Sequence, residues 1–210
     1  MRKSGLLFLF NLVLCSKLFC QIDADVVIGA FYQKGQDNCA SIALIKASLN
    51  KYGFTAFKID TIGKEYKVTL KNGDIVTIDD DKIIQAADVA SFKYPEGATV
   101  TLQKQVIKKY AEVMFCVMAA YKWKIDTNTS FKEALDILGQ GAYTPTVYRY
   151  LGLRPNINVI EMRDLARVKK KCALVVWSAH HAVFSCNGYV DDYGAKSPLT
   201  IRYHGRFQLI

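Results

Sequence analysis

Apolar and polar positions alternate with different periods in different parts of the chain. Between Cys39 and Lys51, Ala40, Ile42, Ala43, Leu44, Ala47 and Leu49 crowd most faces of one helical stretch. Such a pattern predicts a helix buried on most sides. Gly53 stands where a helix-ending glycine belongs. Tyr66–Leu70 and Ile75–Ile78 then alternate with period two around Asn72-Gly73, which predicts a β-hairpin with a tight turn. The pattern returns to a helical period over Lys82–Ala90 and over Leu102–Lys122. In the longer of these, Val106, Tyr110, Val113, Met114, Val117, Met118 and Tyr121 share one face. Ser130 and Glu133 form a capping-box pair ahead of a short helix to Leu138, ended by Gly139-Gln140-Gly141.

The last third reads as strands: Cys172–Trp177, His181–Cys186 and Leu199–Tyr203. Helices first and strands last predict an α+β fold. A helical lobe covers about residues 30–150 and an antiparallel β lobe about 151–210, within a single domain over residues 22–210.

Composition changes this picture little, and charge changes it only at the N-terminus. The chain has 210 residues, 51% hydrophobic and 22% charged, which excludes a disordered or low-complexity protein. Met1-Arg2-Lys3 is followed by an apolar run from Leu6 to Cys15. About ten residues suit the core of a secretory signal, whereas a membrane span needs about 20. Residues 1–21 therefore read as a signal peptide, the mature chain as secreted or periplasmic, and no membrane span is expected in it. The formal charge of +9 includes Arg2, Lys3 and Lys17 of that signal. The remainder is diffuse, apart from Arg167-Val168-Lys169-Lys170-Lys171, which reads as a solvated helix end. No nucleic-acid partner is expected. Asp79-Asp80-Asp81 reads as the acidic start of a helix rather than a metal site, and no metal or other cofactor is expected. The cysteines lack metal-type spacing. Four of them, Cys39, Cys116, Cys172 and Cys186, leave room for up to two disulfides. A Cys39 bridge to Cys172 or Cys186 is one alternative to a free thiol.

The chemistry centres on Cys39. It opens a buried helix, where backbone N–H groups and the helix dipole favour a thiolate and can bind a developing oxyanion. Gln33 lies on the loop leading into that helix and supplies a second oxyanion donor. His181 lies about 140 residues further on, and an imidazole facing Cys39 across a cleft would form a thiolate–imidazolium pair. Since side chains alternate along a strand, only one of His180 and His181 faces Cys39. The apolar Ala182-Val183 that follows favours His181.

These residues resemble the papain-like cysteine peptidases, and the calpain branch most of all. Gln33-Lys34-Gly35-Gln36-Asp37-Asn38-Cys39-Ala40 is similar to that branch's Gln-Gly-x-x-Gly-Asp-Cys-Trp. Lys109-Tyr110-Ala111 is similar to its Lys-Ala-Tyr-Ala, Leu135–Gly139 to its helix before a Thr-Gly pair, and His181-Ala182-Val183 to the histidine motif. The resemblance runs from about residue 31 to the end and is sharpest at Cys39 and His181. It implies a papain-like two-lobed fold, with the Cys helix in the helical lobe and the His strand in the β lobe. The implied activity is hydrolysis of peptide bonds in a peptide or protein substrate through an acyl-enzyme. Cys39 is then the nucleophile, His181 the general base and acid, and Gln33 part of the oxyanion hole. A catalytically silent module that binds a peptide or protein partner is the alternative. The chain departs from the family where no Trp follows Cys39 and where the third catalytic residue, an Asn before an aromatic, is missing. Tyr203 and His204 occupy the matching stretch, while Asp191 and Asp192 read as part of a turn too soon after His181. The group that orients the imidazole stays open among these four.

Overall fold

The helix that begins at Cys39 organises the fold, because it is covered on every side. The structure is a computed structural model, and it describes residues 21–33, 35, 37–160 and 165–210. Apart from Gln21, the expected signal peptide lies outside these residues. Helix α1 (Ala24–Ile28), capped by the Asp23 carboxylate, leads in. Helix α2 (Cys39–Tyr52) follows, with every residue from Ala40 to Asn50 buried. It packs against α1, against strands of the large sheet described below and against a long helix. Full burial of its Leu44, Ile45 and Leu49 contributes about 1.5–3 kcal/mol each.

A three-stranded antiparallel sheet comes next, in the order β1 (Lys58–Ile62), β2 (Glu65–Thr69) and β3 (Ile75–Asp79). The expected hairpin is β2–β3, and β1 is an additional strand whose positions are mostly exposed. Helix α3 (Asp80–Ala90) starts directly from β3, and the Asp79 side chain accepts from the Lys82 N–H as its cap. The acidic triplet thus does the work of a helix start, with Asp80 also accepting from the Tyr66 hydroxyl at 2.9 Å. Helix α4 (Leu102–Ile125) is capped by Thr101 and packs on α3, on β3 and on α5 (Phe131–Gln140). At α5 the capping box is complete: Ser130 Oγ accepts from the Glu133 N–H, and Glu133 Oε2 accepts from the Ser130 N–H. A 3₁₀ segment over Thr144–Leu151 then leads to the second sheet.

That sheet has six antiparallel strands in the order β4-β9-β5-β6-β7-β8. They are β4 (Ile157–Val159), β5 (Leu174–Trp177), β6 (Ala182–Cys186), β7 (Tyr189–Asp192), β8 (Ala195–Pro198) and β9 (Gly205–Leu209). Alternation divides its two faces. Val175, Phe184 and Phe207 join the main core around α2. Leu174, Val176, Val183 and Val190 join Leu199 and Tyr203 in a smaller core beneath. A short helix, α6 (Leu165–Val168), brings Val168 into this lower core, and the basic cluster runs on from it.

The fold is therefore α+β with two antiparallel sheets. The expected strand Leu199–Tyr203 is not formed; a turn occupies Ile201-Arg202, and the strand lies at Gly205–Leu209. Leu199 and Tyr203 are buried while Ile201 between them is 83% exposed, so period-two apolarity did not signify pairing there. Cys172 and Cys186 are joined in a disulfide across the ends of β5 and β6, and Cys39 and Cys116 are free. The alternative of a bridged Cys39 is thereby overturned, because its two possible partners are bonded to each other.

Candidate active site

Cys39 is placed by its neighbours before any catalytic partner is considered. The Asn38 amide donates from Nδ2 to the Ala90 carbonyl at 2.9 Å, fixing the start of α2 to the end of α3. Ser41 Oγ donates to the Leu138 carbonyl at 3.3 Å, tying the first turn to α5. Asn38, the residue before the helix, makes no side-chain cap hydrogen bond. The α2 N-terminus therefore keeps its dipole and N–H groups beside a half-buried, free thiol. Cys116, the other free thiol among the described residues, is buried in α4, and burial pushes its pKa up.

His181 comes from the opposite wall. It is the last residue of the loop between β5 and β6, which its own carbonyl closes by accepting from the Ser178 N–H at 2.9 Å. The expected opposite orientation of His180 and His181 does not apply, since neither lies in the strand. Both border one cleft of about 840 Å³, together with His204. All three histidines of the protein therefore line the same cleft. Gln33 and Cys39 border it as well. At its base a second, small cavity of about 20 Å³ is lined by Gln33, Cys39, His181, Asp191 and Tyr193 among others. That is about the room one water needs. The structure thus brings Gln33, Cys39 and His181 to one cavity although the chain separates them widely.

The four orienting candidates separate cleanly. Tyr203 is buried in the lower core and accepts from Arg202 Nη2 at 2.7 Å. His204 borders the cleft, exposed. Asp191 and Asp192 are not in a turn; they end β7, the strand hydrogen-bonded beside β6. Asp191 has both oxygens engaged: Oδ2 accepts from Lys46 Nζ at 2.7 Å and Oδ1 from the Gly194 N–H at 2.8 Å. Asp192 Oδ2 accepts from Ser197 Oγ at 3.0 Å. Burial lowers the His181 pKa from the ordinary histidine range. The Asp192 charge, then that of Asp191, opposes this shift, and Arg202 reinforces it. The resting imidazole is accordingly held toward its neutral form, the form that accepts a proton from a thiol.

Two further side chains shape this site without having been anticipated. The Tyr193 ring stacks on the His181 ring, with centroids 5.5 Å apart and planes 14° from parallel. Lys46, on α2, is completely buried; besides Asp191 it donates to the Ile28 carbonyl at 2.9 Å and lies 4.9 Å from the centre of the Phe31 ring. A lysine flanked by Ile45 and Ala47 within a largely apolar helix is the sequence signal that could have found it. Trp177 forms part of the cleft wall and lies flat over its strand partner Gly205; a Cβ there would come within 1.9 Å of the indole.

No protein-family model matches this chain, and no curated protein and no solved structure matches it either. Among the described residues no group of His, Cys, Asp and Glu is placed to hold a metal ion, and no helix is long and apolar enough to cross a membrane.

Proposed function

We propose that this chain is an exported cysteine peptidase of papain-like, two-lobed architecture, most similar in its motifs to the calpain branch. The observation that carries the reading is the meeting of three distant residues. A free Cys39 at the start of a buried helix, Gln33 on the preceding loop and His181 at the end of the β5–β6 loop border one cavity. In this mechanism His181 takes the thiol proton, and the Cys39 thiolate attacks the carbonyl carbon of a peptide bond. The oxyanion is stabilised by the N–H groups at the α2 N-terminus and by the Gln33 side-chain amide. Collapse breaks the C–N bond, and the leaving amine takes the proton from His181. Water, deprotonated by the same imidazole, then hydrolyses the thioester to a carboxylic acid and regenerates the thiol.

We assign the orienting role to Asp192. Both oxygens of Asp191 are engaged elsewhere, whereas Asp192 has one, Oδ2, on Ser197, and its charge favours the protonated form of His181. A carboxylate in this role stabilises the imidazolium as it forms. The Cys172–Cys186 disulfide supports export, since such bonds persist in oxidising compartments.

The test is covalent labelling by a peptidyl epoxysuccinate, read by mass spectrometry. Labelling at Cys39 that is lost in His181→Ala is the expected result. Failure of the wild-type protein to label, with Cys39 reduced and reactive toward a small alkylating agent, would show a silent module that binds peptides instead.

A further inference from the structure

The β7–β8 hairpin beside the proposed site carries a conformation that its sequence should avoid. Its two-residue turn, Tyr193-Gly194, has φ of 50° and 88°. Two successive positive φ values define the turn type that favours Asn-Gly or Gly-Gly. A tyrosine at the first position is strained there, and strain of this kind persists only where the surroundings hold it.

The surroundings here hold it from two sides. From within, Asp191 Oδ1 accepts from the Gly194 N–H, while its Oδ2 is fixed by the buried Lys46. Lys46 belongs to the same helix as Cys39, about two turns further on. From outside, Pro95 packs so closely on Gly194 that a Cβ there would lie 2.5 Å from its Cγ. The turn is thus linked to the helix bearing the thiol through a lysine, a carboxylate and a backbone N–H. What the strained residue presents at the far end of this link is an aromatic ring lying parallel to the His181 imidazole.

We propose that the Tyr193–Gly194 turn, fixed to the Cys39 helix by the buried Lys46–Asp191 pair, is the device that positions the His181 imidazole. Tyr193, Lys46 and Asp191 are positioning residues, and none of them takes part in bond making. The stacked ring limits rotation of the imidazole about its side-chain bonds. The ion pair sets the height of that ring above the start of α2, so both partners of the proposed thiol–imidazole pair are referenced to one helix. This inference rests on the proposed peptidase mechanism for its purpose, but its geometry is measurable without any substrate.

The test compares Tyr193→Asn, Tyr193→Phe and Asp191→Asn. Tyr193→Asn restores the favoured Asn-Gly turn while removing the ring. The expected result is an unchanged or higher melting temperature, together with loss of the ring-current shift of the His181 side-chain NMR resonance. Alkylation of Cys39 by iodoacetamide at pH 7 should slow about tenfold or more. Tyr193→Phe should retain the resonance position and the alkylation rate. Asp191→Asn should move the resonance in the same direction as Tyr193→Asn, with a lower melting temperature. A His181 resonance and an alkylation rate both unchanged in Tyr193→Asn would overturn the proposal, whether or not Asp191→Asn folds. A slow wild-type thiol combined with the expected resonance changes would defeat the peptidase reading and leave the positioning device standing.

Discussion

The helices and the large sheet of this protein are held by interactions of different reach. Helices α3, α4 and α5 each begin with a cap supplied from within a few residues: Asp79, Thr101 and Ser130. The six-stranded sheet is secured from far along the chain. Asn50 Oδ1 accepts from the Ala173 N–H at 3.1 Å, the Tyr52 hydroxyl donates to the Ile210 carbonyl at 2.9 Å, and Lys46 reaches Asp191. Among the described residues, three of the four non-glycine residues with positive φ, namely Ala173, Asn187 and Tyr193, also fall in this sheet's turns and edges. Local caps mark the starts of these three helices. The sheet adopts costlier backbone conformations because distant side chains, most of them on α2, over-determine it. The residues flanking the candidate cleft fall on both sides of this divide, Cys39 on the helix and His181 on the loop that joins β5 to β6.

Breaking the longest-range link should have the largest effect. Lys46→Met leaves Asp191 buried beside an uncharged side chain, and we expect a loss of about 3–5 kcal/mol in urea unfolding. A loss below about 1 kcal/mol, the scale of exposed ion pairs, would mean that the sheet does not depend on the pair. On the helical side, Ser130→Ala removes one half of the capping box and should cost about 1 kcal/mol, with no change in Cys39 reactivity. A change in Cys39 alkylation in that variant would show that α5 communicates with the site more strongly than its local cap implies.

The smallest effect should be a pH dependence from His181. Its pKa is lowered in the fold, so the unfolded chain binds the proton more readily. Stability should therefore fall as pH drops through the ordinary histidine range toward the lowered folded value, and hold steady above it. In His181→Gln this part of the acid sensitivity should disappear. Identical pH profiles of wild type and variant between pH 7 and pH 5 would contradict the burial of the imidazole.

The same contrast explains what could be read from the sequence. The helices from Cys39, Asp80, Leu102 and Phe131 were visible because periodicity and caps are local. Asn72-Gly73 likewise marked the β2–β3 hairpin. Strand β1 escaped because it is an exposed edge with little apolar alternation. Strand β9 escaped because it opens with Gly205-Arg206, whereas Leu199–Tyr203 mimicked a strand through a turn. Cys39, Gln33 and His181 could be named as candidates from the sequence, and the structure brings them to one cavity. The placement of Asp191 and Asp192 could not be read, since it depends on which strand lies beside β6. Tyr193 was hidden for a related reason: nothing local shows that a turn residue lies over an imidazole. The disulfide partners were equally beyond reach, because four cysteines allow several connectivities.

The flat seat that Gly205 provides for Trp177 also has an optical consequence. The protein has two tryptophans. Trp177 is in the wall of the cleft, and Trp123 stands 44% exposed on α4, in edge-on contact with Phe131. Replacing Trp123 with Phe leaves a single tryptophan, built into the cleft that borders Cys39 and His181. Its emission then reports occupancy of that cleft directly, for a cleaved substrate and an uncleaved ligand alike, without an attached dye.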